Sequence, residues 1–407
     1  MASAREARGA QGWPPIAGFR LAGVACGIKA SGRPDLAAIV AERPVPTAAV
    51  FTRNLVRAAP VEVAAERVRR GRAQAILVNS GNANACTGAQ GVRDAERTTG
   101  ALARALGCEA RHVLPASTGV IGQPLDVTAI VSGLPRLVDA LDEGGAAAFA
   151  DAILTTDRGP KLACARFRVG RRDATVLAIA KGAGMIHPNM ATTLGFVLTD
   201  APVGAPVLRK ALRSATEQTF NRVSVDGDTS TNDTVVAMAS GALGGASISA
   251  DSASARRLEG ALTEALSAVA LMIVADGEGA EHLVRIEVAR APNDPGALRV
   301  ARAIATSLLV KTALHGCDPN WGRIVAAAGR AGVRFDPSKV RVRIGDVTVF
   351  ARGLPVRDDA VEREAAAVMK RAEYTVRVDL GAGTAAAHYT TCDIGHEYVR
   401  INADYRS

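Results

Sequence analysis

One stretch of the chain places chemically active side chains in a loop between two predicted strands. Residues 181–196 read KGAGMIHPNMATTLGF. The apolar runs on either side of its centre, 173–180 and 194–199, are both typical of strands. A loop between them is indicated by four turn residues, Gly182, Gly184, Pro188 and Asn189. Two adjacent threonines, Thr192 and Thr193, therefore stand where this loop re-enters the sheet.

The hydroxyl of Thr192 has two interpretations. A loop threonine commonly forms a structural hydrogen bond, and that interpretation stays open. The alternative is a nucleophile, which needs a base to activate it. If the chain were cut before Thr192, the new α-amino group would supply that base, because its pKa of about 7.7–8.0 lies close to neutral pH. Ala191 is small and leaves room for attack on its carbonyl carbon.

The remaining motifs argue against metal and nucleotide sites. The six cysteines form no CxxC pair, and no two of the six histidines have metal-ligand spacing. The segment DGDTSTND at 226–233 begins like a calcium loop, but Thr231 and Ala237 stand where that loop needs Gly and Glu. Residues 381–386 fit G-x-G-x-x-A but precede a predicted strand, so we expect a hairpin turn there rather than a dinucleotide loop. The sequence therefore predicts no metal and no cofactor.

Composition narrows the class of protein. The 407 residues are 48% hydrophobic but only 3% aromatic, so Ala, Val, Leu and Ile must build the core. The net charge is +9, yet basic residues are interleaved with acids, which favours small anionic substrates over nucleic acid. No apolar segment marks the N-terminus as a signal peptide, and the longest uncharged stretch, 234–250, is shorter than a membrane span. We expect a soluble, cytoplasmic protein without nucleic-acid or membrane partners.

Strand-like and helix-like segments alternate along the chain. Apolar residues recur every three or four positions at 253–274, which predicts a helix. Other helical patterns occupy 90–107, 234–240, 297–313 and 358–371. Strand patterns occupy 282–291 and 397–401, with a hairpin at 340–353 that turns at Gly345-Asp346, two strands within 373–393, and a loop at 78–88. The alternation predicts layered helices and sheets, an α/β fold.

Many blocks of this sequence resemble one known family. The loop segment KGAGMIHPNMATTLGF is similar to the signature of the ornithine acetyltransferase family, the bifunctional glutamate N-acetyltransferases of arginine biosynthesis. Further blocks resemble that family in the family's order: VFTRNLVRAAPV (50–61), VNSGNANACTG (78–88), PASTGVIG (115–122), ILTTD (153–157), FNRVSVDGDTSTNDT (220–234), ADGEGA (275–280), VKTALHGCDPNWGRI (310–324) and YVRINADYRS (398–407). The likeness covers essentially the whole chain.

The resemblance implies a fold and an activity. The family's fold is an α/β sandwich with two central β-sheets flanked by helices, and its precursor cuts itself. Here the cut would fall between Ala191 and Thr192, giving an α chain of residues 1–191 and a β chain of 192–407. Thr192 would then carry acetyl from N2-acetyl-L-ornithine to L-glutamate through an acetyl-threonine intermediate, in a ping-pong cycle. Family members form a heterotetramer of two α and two β chains, and some also use acetyl-CoA as donor.

The resemblance also implies a set of site residues. Thr118 and Gly119 match the family's oxyanion hole. The substrate-binding positions match Thr155 (with Thr156 as the neighbouring alternative), Lys181, Thr192, Glu278, Asn402 and Ser407. Lys181 would suit the substrate carboxylate and Glu278 the δ-ammonium group. His187 falls at a variable family position and receives no role. An alternative activity is that of a self-cleaving aminopeptidase or amidase of related fold.

One short segment departs from the family pattern. Glu281-His282 stands where family members commonly have Thr-Lys. The change adds negative charge close to Glu278, so the electrostatic environment of that carboxylate is expected to differ from the family's.

Overall fold

Two mixed β-sheets, each covered by helices, organise the part of the chain that the computed structural model describes, residues 12–187 and 193–404. The strands are β1 Phe19–Val24, β2 Leu36–Phe51, β3 Arg72–Asn82, β4 Val113–Val120, β5 Lys161–Val169, β6 Arg172–Lys181, β7 Leu194–Thr199, β8 Val223–Ser224, β9 Thr234–Ala239, β10 Leu283–Ala291, β11 Arg341–Ile344, β12 Val347–Ala351, β13 Leu354–Pro355, β14 Glu373–Asp379 and β15 Ala385–Cys392. The helices are α1 Ala59–Val68, α2 Gly88–Leu106, α3 Val127–Asp139, α4 Ala146–Ala152, α5 Ala205–Gln218, α6 Ala253–Ala275, α7 Asp294–Ala305, α8 Leu308–His315, α9 Trp321–Gly329, α10 Asp359–Met369 and α11 His396–Asp404. This architecture confirms the predicted α/β sandwich with two central sheets flanked by helices.

The first sheet has the strand order β4-β3-β2-β9-β7-β6-β5, with β1 paired to β2. Strands β9 and β7 therefore lie between β2 and β6. Strand β6 runs antiparallel to β7 with Lys181 opposite Leu194, and β7 runs parallel to β9 with Leu194 opposite Thr234. The end of β6 and the starts of β7 and β9 thus lie side by side at the same end of these central strands. The predicted catalytic loop follows β6 at this end of the sheet.

Helix α6 packs against strands of both sheets. Its apolar face buries Leu258, Leu262, Leu266, Val269 and Ile273, as the periodicity of three and four predicts. That face packs in one core with residues of β5, β6 and α5 and with Cys392 of β15. Among the described residues, α6 alone is long and apolar enough to cross a membrane, but half of its most apolar window is buried inside the fold. Burial of that kind is typical of a core helix.

The second sheet has the order β13-β12-β11-β14-β10-β15-β8. Strands β11 and β12 form the predicted hairpin. Strands β14 and β15 were expected to be joined by a hairpin turn at 381–386, and this is wrong. Strand β10 lies between them, parallel to β14 and antiparallel to β15. The turn is therefore part of a connection that passes over β10, and local glycine spacing does not distinguish it from a hairpin.

Four segments differ from their sequence expectations. Of the expected helix at 234–240, residues Thr234–Ala239 form strand β9 instead. All six strand residues are buried, and an unbroken apolar run has no periodicity that would distinguish a strand from a helix. Residues 397–401 lie in α11, where half-buried Tyr398 and Ile401 are three apart. The helix expected at 297–313 is two helices, because the chain breaks at 306–307. The loop expected at 78–88 begins only after β3 ends at Asn82.

Candidate active site

A cleft opens at the end of the sheet where β6 ends and β7 begins. It is lined by seven of the residues that the family resemblance singled out: Thr118, Gly119, Thr155, Thr156, Lys181, Glu278 and Asn402. These residues come from five separate segments of the chain, and the fold brings them together. Ala191, Thr192 and Ser407 lie outside the described residues. Thr193, which follows Thr192, lines the cleft.

Gly119 lies at a bulge near the end of β4. The register between β3 and β4 shifts at Gly81 and Asn82, directly opposite Gly119. Gly119 has a φ of 134°, and a Cβ atom built on it would lie 2.3 Å from the carbonyl carbon of Gly81. Both the backbone conformation and the close approach require glycine here. The bulge shapes the wall of the cleft that carries Thr118, as bulges beside active sites commonly do.

Lys181 is the cationic residue among the described residues that line the cleft. It is the last residue of β6, and its side chain is mostly buried. Its Nζ atom donates to Thr155 Oγ1 at 2.6 Å and to Thr118 Oγ1 at 3.2 Å. Because the Thr118 oxygen accepts from Lys181, the Thr118 hydroxyl hydrogen can be directed to another acceptor. Lys181 therefore couples the predicted oxyanion-hole residue to a predicted substrate-binding threonine.

Asp157 lies behind Lys181 and is buried. Its Oδ1 atom accepts from Lys161 Nζ at 2.7 Å and from the Gly182 amide at 2.6 Å, and its Oδ2 atom lies 3.6 Å from Lys181 Nζ. Burial alone would raise the pKa of Asp157, but the ammonium groups of Lys181 and Lys161 hold it well below its usual range. Lys161 is also paired with Asp276 at 2.5 Å. The cationic side of the cleft thus rests on a network of two lysines and two aspartates.

Glu278 is a buried carboxylate of the cleft. Its Oε2 atom accepts from Asn402 Nδ2 at 2.8 Å, and its backbone amide donates to Ala183 O at 3.0 Å. The Gly184 backbone packs closely against it, since a Cβ atom on Gly184 would lie 2.6 Å from Glu278 Oε2. The half-buried Tyr398 lies close enough that burial, with the charges of Asp226 and Glu278, raises its pKa. Negative charge therefore surrounds this part of the cleft.

Asp226 holds the loop that follows β6. Its carboxylate accepts from the backbone amides of Met185 at 2.6 Å and Ile186 at 3.0 Å. Burial raises the pKa of Asp226 to about 6, although these amide hydrogen bonds act to lower it. The carboxylate lines the cleft together with Asp228, so two further acidic groups face the same space as Glu278.

Asn232 and Asp233 connect the cleft to the sheet. Asn232 Nδ2 donates to the carbonyl oxygens of Ala83 at 2.6 Å and Ser117 at 2.9 Å, and Ser117 directly precedes Thr118. Asp233 is fully buried beside it, and burial raises its pKa well above the usual range. Sequence reasoning assigned no role to Asp157, Asp226 or this pair. Each lies inside a quoted family block, ILTTD or FNRVSVDGDTSTNDT, which is the signal that could have identified them.

Comparisons with known proteins agree over nearly the whole chain. The model of the ArgJ family matches residues 20–407. The arginine biosynthesis bifunctional protein ArgJ of Desulfotalea psychrophila is 47% identical over 392 residues, which is 96% of this chain and 100% of that protein. The corresponding protein of Symbiobacterium thermophilum is 46% identical, with 96% of this chain and 97% of that protein covered. The crystal structure of the ornithine acetyltransferase of Mycobacterium tuberculosis complexed with ornithine shares 40% identity and a TM-score of 0.39, over 44% of this chain and 94% of that one.

Proposed function

The chain belongs to the ArgJ family and is an acetyltransferase of arginine biosynthesis, and from this premise we propose that it transfers the acetyl group of N2-acetyl-L-ornithine to L-glutamate. One observation carries the choice of substrates: a single cleft holds a buried ammonium group, Lys181, and a buried carboxylate, Glu278, each bound to a polar neighbour. An amino acid with a side-chain ammonium group offers complementary charges to such a cleft.

The proposed reaction passes through acetyl-threonine. The Thr192 oxygen attacks the acetyl carbonyl carbon, and the α-amino group of Thr192 takes its proton. The carbon–nitrogen bond then breaks, and ornithine leaves with that proton on its amine. In the second half, the glutamate amine attacks acetyl-Thr192, N-acetylglutamate leaves, and the hydroxyl regains its proton. The position of Thr193 in the cleft lining supports this role for its neighbour.

Each half-reaction develops negative charge on the acetyl oxygen. We assign the stabilising donors to Thr118 and Gly119. The hydrogen bond from Lys181 to Thr118 supports this, because it leaves the Thr118 hydroxyl hydrogen free to donate and adds a positive charge behind it. Donors of this kind contribute roughly 3–4 kcal/mol to transition-state stabilisation.

We assign the substrate contacts to Thr155, Lys181, Glu278, Asn402 and Ser407, with Thr156 as the alternative to Thr155. The pairing of Asn402 with Glu278 supports a shared site for the δ-ammonium group of ornithine, with Asp226 and Asp228 adding negative charge. Glutamate has no such group, so the acceptor would bind chiefly through its α-amino and carboxylate groups near Lys181.

We also propose that the chain cuts itself between Ala191 and Thr192. The Thr192 oxygen attacks the carbonyl carbon of Ala191, an ester replaces the peptide bond, and water hydrolyses it to give chains 1–191 and 192–407. Two copies of each chain would form a cytoplasmic heterotetramer. No cofactor is required by this chemistry, and acetyl-CoA is a second candidate donor.

The test is an assay for ornithine release from N-acetylornithine with and without glutamate. The proposal predicts that sustained release depends on glutamate and yields one N-acetylglutamate for each ornithine. Equal release without glutamate would favour the alternative, an aminopeptidase or amidase. A parallel reaction with acetyl-CoA and glutamate determines whether the enzyme has one donor or two.

A further inference from the structure

A cluster of metal-ligating side chains lies at the far end of the loop that carries Glu278. Glu281 and His282 close that loop, and Asp393 follows β15. The ligand atoms of these three side chains all lie within 4.8 Å of one another. Cys317, just beyond α8, lies beside this group: its Sγ atom is 3.8 Å from His282 Nε2, although it is not one of the atoms that all lie within 4.8 Å of one another.

The imidazole of His282 is buried and held in one tautomer. Its Nδ1 atom lies 3.0 Å from the carbonyl oxygen of Arg371. A carbonyl oxygen can only accept, so Nδ1 carries the hydrogen and Nε2 keeps its lone pair. Metal-binding histidines are typically oriented in this way, by donating the other ring N–H to a backbone carbonyl or a carboxylate. Only 8% of His282 is exposed, and its free nitrogen faces the Cys317 sulfur.

Asp393 is also fixed in place. The carboxylate is fully buried, and its Oδ1 atom accepts from the amides of Glu281 at 2.9 Å and His282 at 2.8 Å. Its Oδ2 atom lies 2.8 Å from His315 Nδ1. An ionised carboxylate has about four lone-pair sites, so one remains for a further partner. Glu281 is exposed at the mouth of the cluster and provides a route from solvent.

We propose that Glu281, His282, Cys317 and Asp393 bind one divalent transition-metal ion of the zinc class. One imidazole, one thiolate and two carboxylates form a four-ligand set that suits zinc. Binding replaces the thiol hydrogen of Cys317, and that proton passes to solvent while the sulfur–metal bond forms. The sequence spacing gave no sign of this site because the ligands come from three segments that only the fold brings together.

A metal ion bound by these four residues would affect the substrate cleft through two segments of backbone. Glu278 lies three residues before Glu281, and Asp393 lies three residues before α11, which carries Asn402. Gly279 already packs against α11, since a Cβ atom there would lie 2.6 Å from the Tyr398 nitrogen. An ion that joins these segments would stabilise the Glu278–Asn402 pair. With the family's more common Thr-Lys in place of Glu281-His282, two ligands would be missing.

The experiment is metal binding by the full, purified protein after removal of metals with a chelator. Zn²⁺ is added in equilibrium dialysis, and bound metal is counted by mass spectrometry. We expect about one bound ion for each copy of the 407-residue sequence. His282→Lys and Glu281→Thr carry the residue types common in the family, so folding should be retained, and each should weaken binding at least tenfold. His112→Lys, the same substitution outside the cluster, should bind as the parent does.

The absorption spectrum of the Co²⁺ complex tests whether the Cys317 sulfur is a ligand. Co²⁺ in place of Zn²⁺ should give a thiolate-to-metal absorption band in the near ultraviolet that Cys317→Ser removes and Cys86→Ser, at an exposed cysteine, keeps. Absence of stoichiometric binding in the parent protein would overturn the proposal, and so would equal binding by Glu281→Thr and His282→Lys. A parent protein whose Co²⁺ complex lacks the thiolate band would also overturn it. None of these measurements depends on acetyl transfer, so failure here and failure of the proposed function are distinguishable.

Discussion

Asp157 does not line the cleft, but it determines the charge behind it. The carboxylate lies between Lys161 and Lys181 and also accepts from the amides of Thr155 and Gly182. A buried charge pair that loses one partner leaves an uncompensated charge, and this costs about 3–5 kcal/mol. Asp157 is therefore expected to act through Lys181, as a positioning residue.

Asp157→Asn should lower kcat for acetyl transfer on the order of 10²-fold, because Lys181 and Thr118 lose their fixed geometry. Steady-state kinetics on the folded variant measure it. Asp151→Asn, the same change at an exposed position six residues earlier, is the matched control. Normal transfer by Asp157→Asn would show that Lys181 needs no buried counter-charge.

Gly119→Ala should reduce kcat by about 10²–10³-fold, the effect of losing an oxyanion-hole donor. The added methyl group would collide with the Gly81 backbone and displace this part of β4. Gly122→Ala is the control, since Gly122 also has a positive φ, 80°, but a Cβ atom there meets nothing within 4 Å. The loss should fall on kcat more than on KM, because the oxyanion forms only after the ground state. A change confined to KM would remove Gly119 from this role.

Thr192→Ala should abolish both autocleavage and transfer, since the proposed mechanism uses one hydroxyl for both. Thr192→Ser should retain part of each, and Thr193→Ala should still be cleaved. Intact-mass measurement separates one chain of 407 residues from chains that end at Ala191 and begin at Thr192. An active protein that remains a single chain would contradict the mechanism.

At the scale of elements, α11 shows how a helix can be mistaken for a strand. Residues 397–401 read EYVRI, a strand-like composition, but α11 packs one side and exposes the other. The helix places Asn402 one turn after Tyr398, whose carbonyl oxygen also accepts from Asn402 Nδ2 at 3.0 Å. In a strand, four residues span about 13 Å, so the Asn402 side chain could not reach the Tyr398 carbonyl oxygen.

Asn402→Ala should raise the KM for N-acetylornithine about tenfold, close to the effect of one hydrogen bond to a charged group. The KM for glutamate should change less, because glutamate lacks the δ-ammonium group. Val399→Ala, an exposed position on the same helix, is the control. Equal changes in both KM values would show that Glu278 and Asn402 do not discriminate between the two substrates.

Two kinds of sequence information predicted residues of the candidate site. Residue chemistry alone offered a nucleophilic Thr192 after cleavage behind Ala191 as one of two interpretations, because an N-terminal threonine can carry its own base. The family resemblance supplied Thr118, Gly119, Lys181 and Glu278, and the fold class. Asp157 and Asp233 could not be recognised as buried charges, because burial and counter-charges are properties of the folded chain. Strand β9 was missed because both of its faces are covered, which removes the alternation that identifies a strand.

At the scale of the whole molecule, His187 joins the loop after β6 to helix α7. Its Nε2 atom accepts from Arg302 Nε at 3.1 Å, and its Nδ1 atom lies 3.2 Å from Ser224 Oγ. Burial, with the nearby charge of Arg302, lowers the pKa of His187 to about 4. Burial lowers the pKa of His388 to about 4 as well. Both histidines are neutral in the folded protein at neutral pH.

The folded protein should lose stability as the pH falls from about 6.5 to about 4. In this window the unfolded chain binds protons that folded His187 does not, so His187 contributes at most about 3 kcal/mol to the loss. Thermal unfolding measured across this range should show a shallower decline for His187→Gln than for the parent, while His396→Gln, at an exposed position, should follow the parent. Identical slopes for all three proteins would exclude His187 as the source.

Strands β9 and β7 lie between β2 and β6, and in the proposed cleaved enzyme this order would join the two chains within one sheet. After cleavage before Thr192, two strands of the second chain would stand in the middle of a sheet whose flanks belong to the first chain. The two chains would be interlocked: neither could leave without breaking backbone hydrogen bonds on both sides of the inserted pair. Exchange of chains between enzyme molecules would then be as slow as unfolding itself, and each molecule would keep the partner it was synthesised with.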